Sequence, residues 1–350
     1  MTCLRTRDYS VYRRISFSTL QHDQDIDDRP CVHPSFQEID LTTHGNVPTT
    51  PAEKHRLLLF LRSVGNALSF GGRFRAPQLV LQACFRHAHG KIPVRDFDDD
   101  LNIDLSLSEH MQRRIFWTGY YNRRLIVLFN RMLKPGMTVI DVGANIGEIS
   151  MTAAKRVGHT GHVFAFEPVD AIADHLQTNA ARNHLHQITV VRAGLSDVPA
   201  ESVPVYASCG QDDPDDENGG LGTLFGGNKG APELQRIPIT TLDIWMNAHQ
   251  IDRVDLIKID IEGAELPCLK GGERTLRQFR PVLIVEIQDT TAITAGYQAS
   301  DILNFLSGLG YTFETIRRGG HLTELNVENL QSFQNVLCIP SAAAQGAQEA

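Results

Sequence analysis

Several patterns are missing from this chain of 350 residues, and each absence closes off a class of protein. The six cysteines (Cys3, Cys31, Cys84, Cys209, Cys268 and Cys338) are scattered, and no two form a C-x-x-C pair. That argues against a structural zinc site and against a dense disulfide framework, and makes a reducing cytoplasm the simplest setting. No run of about 18 apolar residues occurs, so neither a membrane span nor a membrane partner is expected. The first 28 residues are polar and charged and lack the apolar centre of a secretory signal. Positive charge is not in excess: the formal net charge is −8. The chain therefore has no electrostatic reason to seek phosphate backbones, and nucleic acid is not expected as a partner. The diphosphate turn G-x-G-x-x-G is absent, which disfavours a dehydrogenase. No internal repeat is apparent. What remains is 42% hydrophobic and 21% charged, enough for a full-sized core.

Residues 1–50 lack sustained periodicity and are rich in Asp, Arg, Thr, Ser and His, a composition expected of disorder; 341–350 read as a disordered tail. From Pro51 the pattern changes. Leu57, Leu58, Phe60, Leu61 and Val64 recur at helical spacing within 52–68, and a second helix is expected over 77–89. Short strands at 91–94 and 102–105 and helices at 108–116 and 121–133 complete a section, 51–133, that reads as a cap or lid. From Met137 apolar runs alternate with helical segments. Strands are expected at 137–142, 162–166, 188–191, 255–259, 281–287, 311–316 and 335–339. Helices are expected near 147–157, 170–183, 264–278 and 299–308. This alternation predicts an α/β domain over 134–340, with a mostly parallel sheet covered by helices on both faces. Residues 208–231 combine seven glycines with five acids and read as a long mobile loop.

The most informative stretch is Asp141-Val142-Gly143-Ala144-Asn145-Ile146-Gly147-Glu148, an apolar strand ending in an acid and a Gly-rich turn at a helix N-terminus. Such a turn lets backbone approach a bound nucleoside; the alternative is an ordinary strand-turn-helix joint. Glu167, closing the next apolar run, stands where an acid can hold two ribose hydroxyls, or is a solvated strand end. Ser196-Asp197 occupies the natural place to meet an adenine ring. In Asp255-Leu256-Ile257-Lys258-Ile259-Asp260-Ile261-Glu262-Gly263, alternate residues put Lys258, Asp260 and Glu262 on one face, which points to chemistry or to a salt-bridged strand end. Glu286 ends a further apolar run. Beside Asp260 it could share a proton, hold a divalent metal, or simply hydrogen-bond to backbone. His321 is a weak candidate base among 14 histidines, and Trp117 and Trp245 read as packing residues.

Taken together these blocks resemble the FkbM family of S-adenosylmethionine-dependent methyltransferases. The matching text runs from Lys134-Pro135-Gly136 through Asp141-Val142-Gly143-Ala144-Asn145-Ile146-Gly147, Phe166-Glu167-Pro168, Leu195-Ser196-Asp197 and Thr241-Leu242-Asp243. It continues through Val254–Glu265, Leu269-Lys270-Gly271-Gly272 and Pro281–Glu286. The resemblance covers roughly residues 100–340. It implies a Rossmann-like class I fold, a seven-stranded sheet with its last strand antiparallel. It also implies S-adenosylmethionine as methyl donor and a hydroxyl acceptor on a small molecule, natural product or glycan. Asp141, Gly143, Asn145, Gly147, Glu167, Ser196 and Asp197 would then bind the cofactor, and Asp260, Lys258 and Glu262 would be catalytic, without a required metal. Two departures stand out: Gly119-Tyr120-Tyr121-Asn122 lacks an acid that relatives often carry there, and Gln288 stands where a His often follows the fifth strand. The Asn/Asp-Pro-Pro-aromatic run of nucleic-acid amine methyltransferases is replaced by Asp260-Ile261-Glu262-Gly263, which disfavours that chemistry. A non-catalytic module that binds a partner through its front section is the remaining alternative.

Overall fold

Apolar runs bounded by glycines and acids become the central strands because burial on both faces leaves no side for polar residues to occupy. The computed structural model describes residues 51–68, 85, 90–207, 222–225, 231–327 and 330–341. The chain begins with helix α1 (Pro51–Leu68) and the antiparallel hairpin β1 (Lys91–Phe97) and β2 (Leu101–Ser106). Helices α2 (His110–Thr118) and α3 (Arg123–Met132) follow. The core then alternates: β3 (Thr138–Val142), α4 (Glu148–Val157), β4 (His162–Phe166), α5 (Asp170–Arg182) and β5 (Ile188–Val191). A second sheet intervenes, built from β6 (Gly194–Leu195), β7 (Ala200–Ala207), β8 (Gly222–Thr223) and β9 (Glu233–Thr240), in the order β6-β9-β7-β8. The chain returns through α6 (Leu242–Ala248), β10 (Leu256–Ile259), α7 (Glu265–Gly271), α8 (Glu273–Phe279), β11 (Val282–Gln288), α9 (Asp289–Thr294) and α10 (Ala299–Gly308). It ends in β12 (Tyr311–Ile316), β13 (Leu322–Glu324) and β14 (Phe333–Pro340).

The main sheet has the order β13-β12-β14-β11-β10-β3-β4-β5. β14 runs antiparallel to both neighbours, as the resemblance implied for the last strand, and β13 adds an eighth, antiparallel edge strand. After β5 the chain crosses to the other side of β3 and continues with β10 and β11, so the sheet reverses its winding between β3 and β10. In an open α/β sheet the carboxyl ends of the strands at such a reversal flank a crevice.

All four residues of β10 are buried, as are five of the seven in β11. Lys258 is thus an ammonium in the middle of the sheet, in register with Asp141 on β3 and Ile284 on β11. The front section shares its core with the rest. Leu58, Ile92, Phe97, Leu105 and Trp117 pack in one cluster with Ile146, Met151, Ile172, Val205 and Ile237, while Leu125 and Phe129 of α3 pack with Val139 and Val163 of the main sheet. Both tryptophans are buried. The helix expected over 264–278 is divided at Gly272, where an added Cβ would lie 2.9 Å from Leu242 Cδ2. The helix expected over 77–89 (apart from Phe85), the disorder expected for 1–50, the tail expected over 341–350 (apart from Ser341) and most of the loop expected over 208–231 lie outside the described residues; Gly222–Thr223 within that loop forms β8. No helix among the described residues is long and apolar enough to cross a membrane.

Candidate active site

The carboxyl ends of β3, β4, β10 and β11 open onto a cleft of about 590 Å³, lined among others by Gly143–Asn145, Glu167, Lys258, Asp260–Glu262, Glu286 and Gln288. The front section closes it with His110, Arg114, Tyr121 and Asn122, and the second sheet supplies an apolar wall of Leu195, Val205, Ile237 and Ile239. Its size falls in the range of clefts that take cofactor-sized ligands, about 300–1,000 Å³.

The turn after β3 explains its sequence. Gly143 has φ +80°, and a Cβ there would overlap the carbonyl of Asp260 at the end of β10. Asn145 adopts φ +48°, a conformation Asn tolerates better than other side chains, and its Oδ1 accepts from Ile146 N at 2.7 Å. Glu167 spans the crevice: Oε2 accepts from Asn145 N and Oε1 from Val169 N, both at 3.0 Å. A carboxylate offers about four acceptor sites, so capacity remains for hydroxyls in the cleft. Burial raises the Glu167 carboxyl to about 7 against the pull of those two N–H donors.

Lys258 organises the centre. Its Nζ donates to the Gly143 carbonyl at 3.2 Å and lies 3.3 Å from Asp260 Oδ2 and 3.6 Å from Asp141 Oδ1. Burial works against the ammonium, but the neighbouring acids, Asp260 first and then Asp141, outweigh it and hold Lys258 protonated. Asp141 is fully buried; its Oδ2 accepts from Ser150 Oγ at 2.6 Å, while Oδ1 has no hydrogen-bond donor. Burial pushes the Asp141 carboxyl up and the ammonium and hydroxyl oppose this. With Lys258 held by two carboxylates, we read the pair as charged.

β10 and β11 are neighbours in parallel register, Lys258 beside Ile284 and Ile259 beside Val285, so Asp260, the first residue past β10, comes to stand beside Glu286 of β11. Glu286 is buried beside Asp260; burial, then the nearby acids, Asp260 first, raise it well above the usual carboxylate range. Glu262, at φ +52°, is raised to about 8 by burial and by Asp260 and Glu265. Behind this loop Glu265 accepts from Ile261 N at 3.0 Å, from Gly263 N at 3.0 and 3.1 Å, and from Tyr297 Oη at 3.0 Å.

Of the residues singled out from the sequence, Gly143, Asn145, Glu167, Lys258, Asp260 and Glu262 line the cleft. Asp141 lies beneath it, tied to Lys258. Gly147 caps α4 and packs on Leu176. Ser196 and Asp197 fall just beyond the lining, which ends at Leu195; the Ser196 backbone is pressed against Gly271. His321 is exposed and does not line the cleft. Among the described residues, no three His, Cys, Asp or Glu side chains converge as a metal ion would need. Sequence reasoning passed over Glu148, whose Oε1 accepts from Tyr121 N at 2.6 Å and Asn122 N at 3.3 Å. It thereby brings an acid to the segment where relatives often carry one of their own. Tyr121 stands under the Arg114 guanidinium, 5.0 Å from its ring centre. An acid in the first turn of a helix, directly after the Gly-rich turn, is the one signal that could have marked Glu148.

Residues 141–313 match the methyltransferase FkbM domain. This stretch is thus an FkbM methyltransferase domain. The family's members are S-adenosylmethionine-dependent enzymes. Over 222 residues the chain is 29% identical to the AMB antimetabolite synthetase AmbE of Pseudomonas aeruginosa, covering 55% of this chain and 10% of that protein. It is 27% identical over 188 residues to the methyltransferase sdnD of Sordaria araneosa (46% and 70%) and 29% identical over 171 residues to the hexuronic acid methyltransferase AglP of Haloferax volcanii (48% and 60%). The chain thus spans a tenth of the first relative and about two thirds of the others. A shorter stretch of 77 residues is 35% identical to ribosomal RNA large subunit methyltransferase E of Alkalilimnicola ehrlichii, so the acidic charge does not by itself exclude nucleic acid.

Proposed function

We propose that this chain is a methyltransferase that moves the methyl of S-adenosylmethionine onto a hydroxyl oxygen of a small molecule, natural product or glycan. The carrying observation is the cleft at the β3/β10 reversal, where Glu167, Asp260, Glu262 and Glu286 surround a single buried ammonium. The residues present fit the donor. Glu167 and the Gly143–Asn145 turn would hold the ribose, Leu195, Val205, Ile237 and Ile239 form an apolar wall suited to a planar base, and the acids favour a cation. Asp141 supports this arrangement from beneath through Lys258. Ser196 and Asp197 would reach the base only at its outer edge.

When bound, the sulfonium supplies an electrophilic methyl carbon. The chain's own task is to orient an acceptor hydroxyl, exclude water and take a proton. Asp260, 3.3 Å from Lys258 Nζ, would accept the proton as the acceptor oxygen bonds to the methyl carbon and the carbon–sulfur bond breaks. Lys258 keeps that carboxylate aimed and charged. Glu262 faces the acceptor side of the same loop. The front section, 51–133, would form the acceptor's side of the cleft through Arg114 and Tyr121. A reducing cytoplasm suits Cys268 and Cys338, both buried free thiols.

Support for an oxygen acceptor comes from the relative named as a hexuronic acid methyltransferase, a hexuronic acid being rich in hydroxyls, and from carboxylates poised to take a hydroxyl proton. The test is incubation of the full chain with methyl-labelled S-adenosylmethionine and fractionated cell extract, followed by base treatment and mass analysis of the product. An alkali-stable methyl ether is expected. Label on an amine nitrogen, or on RNA, would replace this reading, and donor binding without any transfer would favour a non-catalytic module.

A further inference from the structure

We propose that Glu286 is a positioning residue that holds the proton it shares with Asp260, so that Asp260 alone presents a charged carboxylate to Lys258 and to the acceptor. Glu286 is never the base in this arrangement. The inference rests on the methyl-transfer reading for its functional half and on geometry for the rest.

The geometry begins with register. Parallel pairing of β10 and β11 puts Ile259 beside Val285, so the next residues, Asp260 and Glu286, stand side by side at the cleft. Two carboxyls set side by side favour keeping one proton between them, because that proton lets one donate to the other, while two carboxylates repel and have no donor to offer. Which carboxyl keeps it follows from the surroundings. Asp260 Oδ2 faces the Lys258 ammonium at 3.3 Å, and its side chain is 20% exposed. Glu286 is 6% exposed and, among the described residues, forms no salt bridge; the ammonium's carboxylate partners there are Asp141 and Asp260. The charged groups facing Glu286 are otherwise acids: Glu262 and Glu265 from the loop and helix after β10. Tyr121 approaches from the front section, and β14 brings the neutral Asn335, opposite Glu286 in the ladder. Glu262 and Glu265 face both carboxyls; the direct ammonium contact and greater exposure of Asp260, against the burial of Glu286 with no salt bridge, leave the negative charge on Asp260 and the proton on Glu286.

A protonated Glu286 donates to Asp260 and fixes the carboxylate's second oxygen while Lys258 fixes the first. That leaves Asp260 one direction in which to accept a proton, toward the cleft. An amide can mimic this donor, whereas it cannot mimic a base. The experiment uses the full chain labelled with carboxyl-13C glutamate, with the Glu286 signal identified by its loss in Glu286→Gln. At pH 6, where an ordinary glutamate is ionised, the signal is expected at its protonated position. A Glu286 signal at the ionised position would overturn the proposal whatever the enzyme's activity. In the extract fraction that wild type methylates, Glu286→Ala is expected to lower kcat about 100-fold with donor affinity kept. Glu286→Gln is expected to recover about tenfold of that loss. Equal damage by Gln and Ala would make Glu286 an ionised base and sink the proposal. Equal indifference would remove it from the site. If wild type itself transfers no label, the methyl-transfer reading fails while the NMR result still decides where the proton sits.

Discussion

At the scale of single residues, the site depends on backbone contacts that no other side chain permits. Gly143 lies in left-handed conformation with its Cα turned against the Asp260 carbonyl, so it locks the ends of β3 and β10 together. Gly143→Ala combines an unfavourable φ with a backbone overlap and should cost at least about 2 kcal/mol of folding stability. Urea unfolding would show it as a lower midpoint at unchanged slope, and a wild-type midpoint would refute the contact. Glu167 tests the donor site more directly. Loss of charge-assisted hydrogen bonds of about 1.5–3 kcal/mol in Glu167→Ala should weaken S-adenosylmethionine binding roughly 10- to 150-fold. Calorimetry with unchanged affinity would remove Glu167 from the donor site. Because Glu167 also holds Asn145 N and Val169 N, Glu167→Gln belongs beside it: an amide oxygen retains one of those contacts and should lose less.

At the scale of elements, the loop between β10 and α7 carries the chemistry and is held from behind. Glu265 gathers the Ile261 and Gly263 amides, and Tyr297, just ahead of α10, donates to both Glu265 and the Gly263 carbonyl at 3.0 Å. Gly263 has φ +104° and its Cβ would lie 2.9 Å from the Thr291 carbonyl, so the loop has little freedom once pinned. Tyr297→Phe removes the hydroxyl from a buried carboxylate. It should cost about 1–2 kcal/mol of stability and lower kcat more than it alters donor affinity. A changed donor affinity at constant kcat would place the loop's role elsewhere. The elements themselves were unevenly legible. The strands β3, β4, β10 and β11 declared themselves as short apolar runs with an acid at or near their ends, whereas the edge strand β13, three exposed residues, did not. Nor did the second sheet. In β9 Pro238 stands within the strand and the register with β7 slips between Ala200 and Val203, so the alternation that marks a strand is interrupted by its own bulge. β8 has two residues, too few to form a pattern. The acids on β10 and β11 were visible because they terminate apolar runs. Glu148, Arg114 and Tyr121 sit on helices and loops whose polar residues look solvated until the fold brings them to the cleft.

At the scale of the whole molecule, the cleft concentrates carboxyls whose ordinary value near 4.5 is raised by burial: Glu148 and Glu167 to about 7 and Glu262 to about 8. A raised acid binds its proton more tightly in the folded state. Between the ordinary and the raised value the folded chain carries the extra proton, so stability falls as pH rises through that window. His162 and His175 act in the opposite sense. Burial lowers both, and their contribution grows as pH rises toward the ordinary histidine value of 6.5. The two effects oppose each other below pH 6.5, and above it the acids act alone. The donor-free protein should therefore lose on the order of 2 kcal/mol between pH 6.5 and 8 and level off above, seen in urea midpoints. A sulfonium in the same cleft reverses the preference, because a cation beside these carboxyls favours their ionised forms. Donor binding at pH 7 should then release protons. Calorimetry in two buffers of different ionisation enthalpy would report that release as a difference in apparent binding enthalpy. Binding with proton uptake, or with none, would mean that the positive charge does not come to rest among Glu167, Glu148 and Glu262.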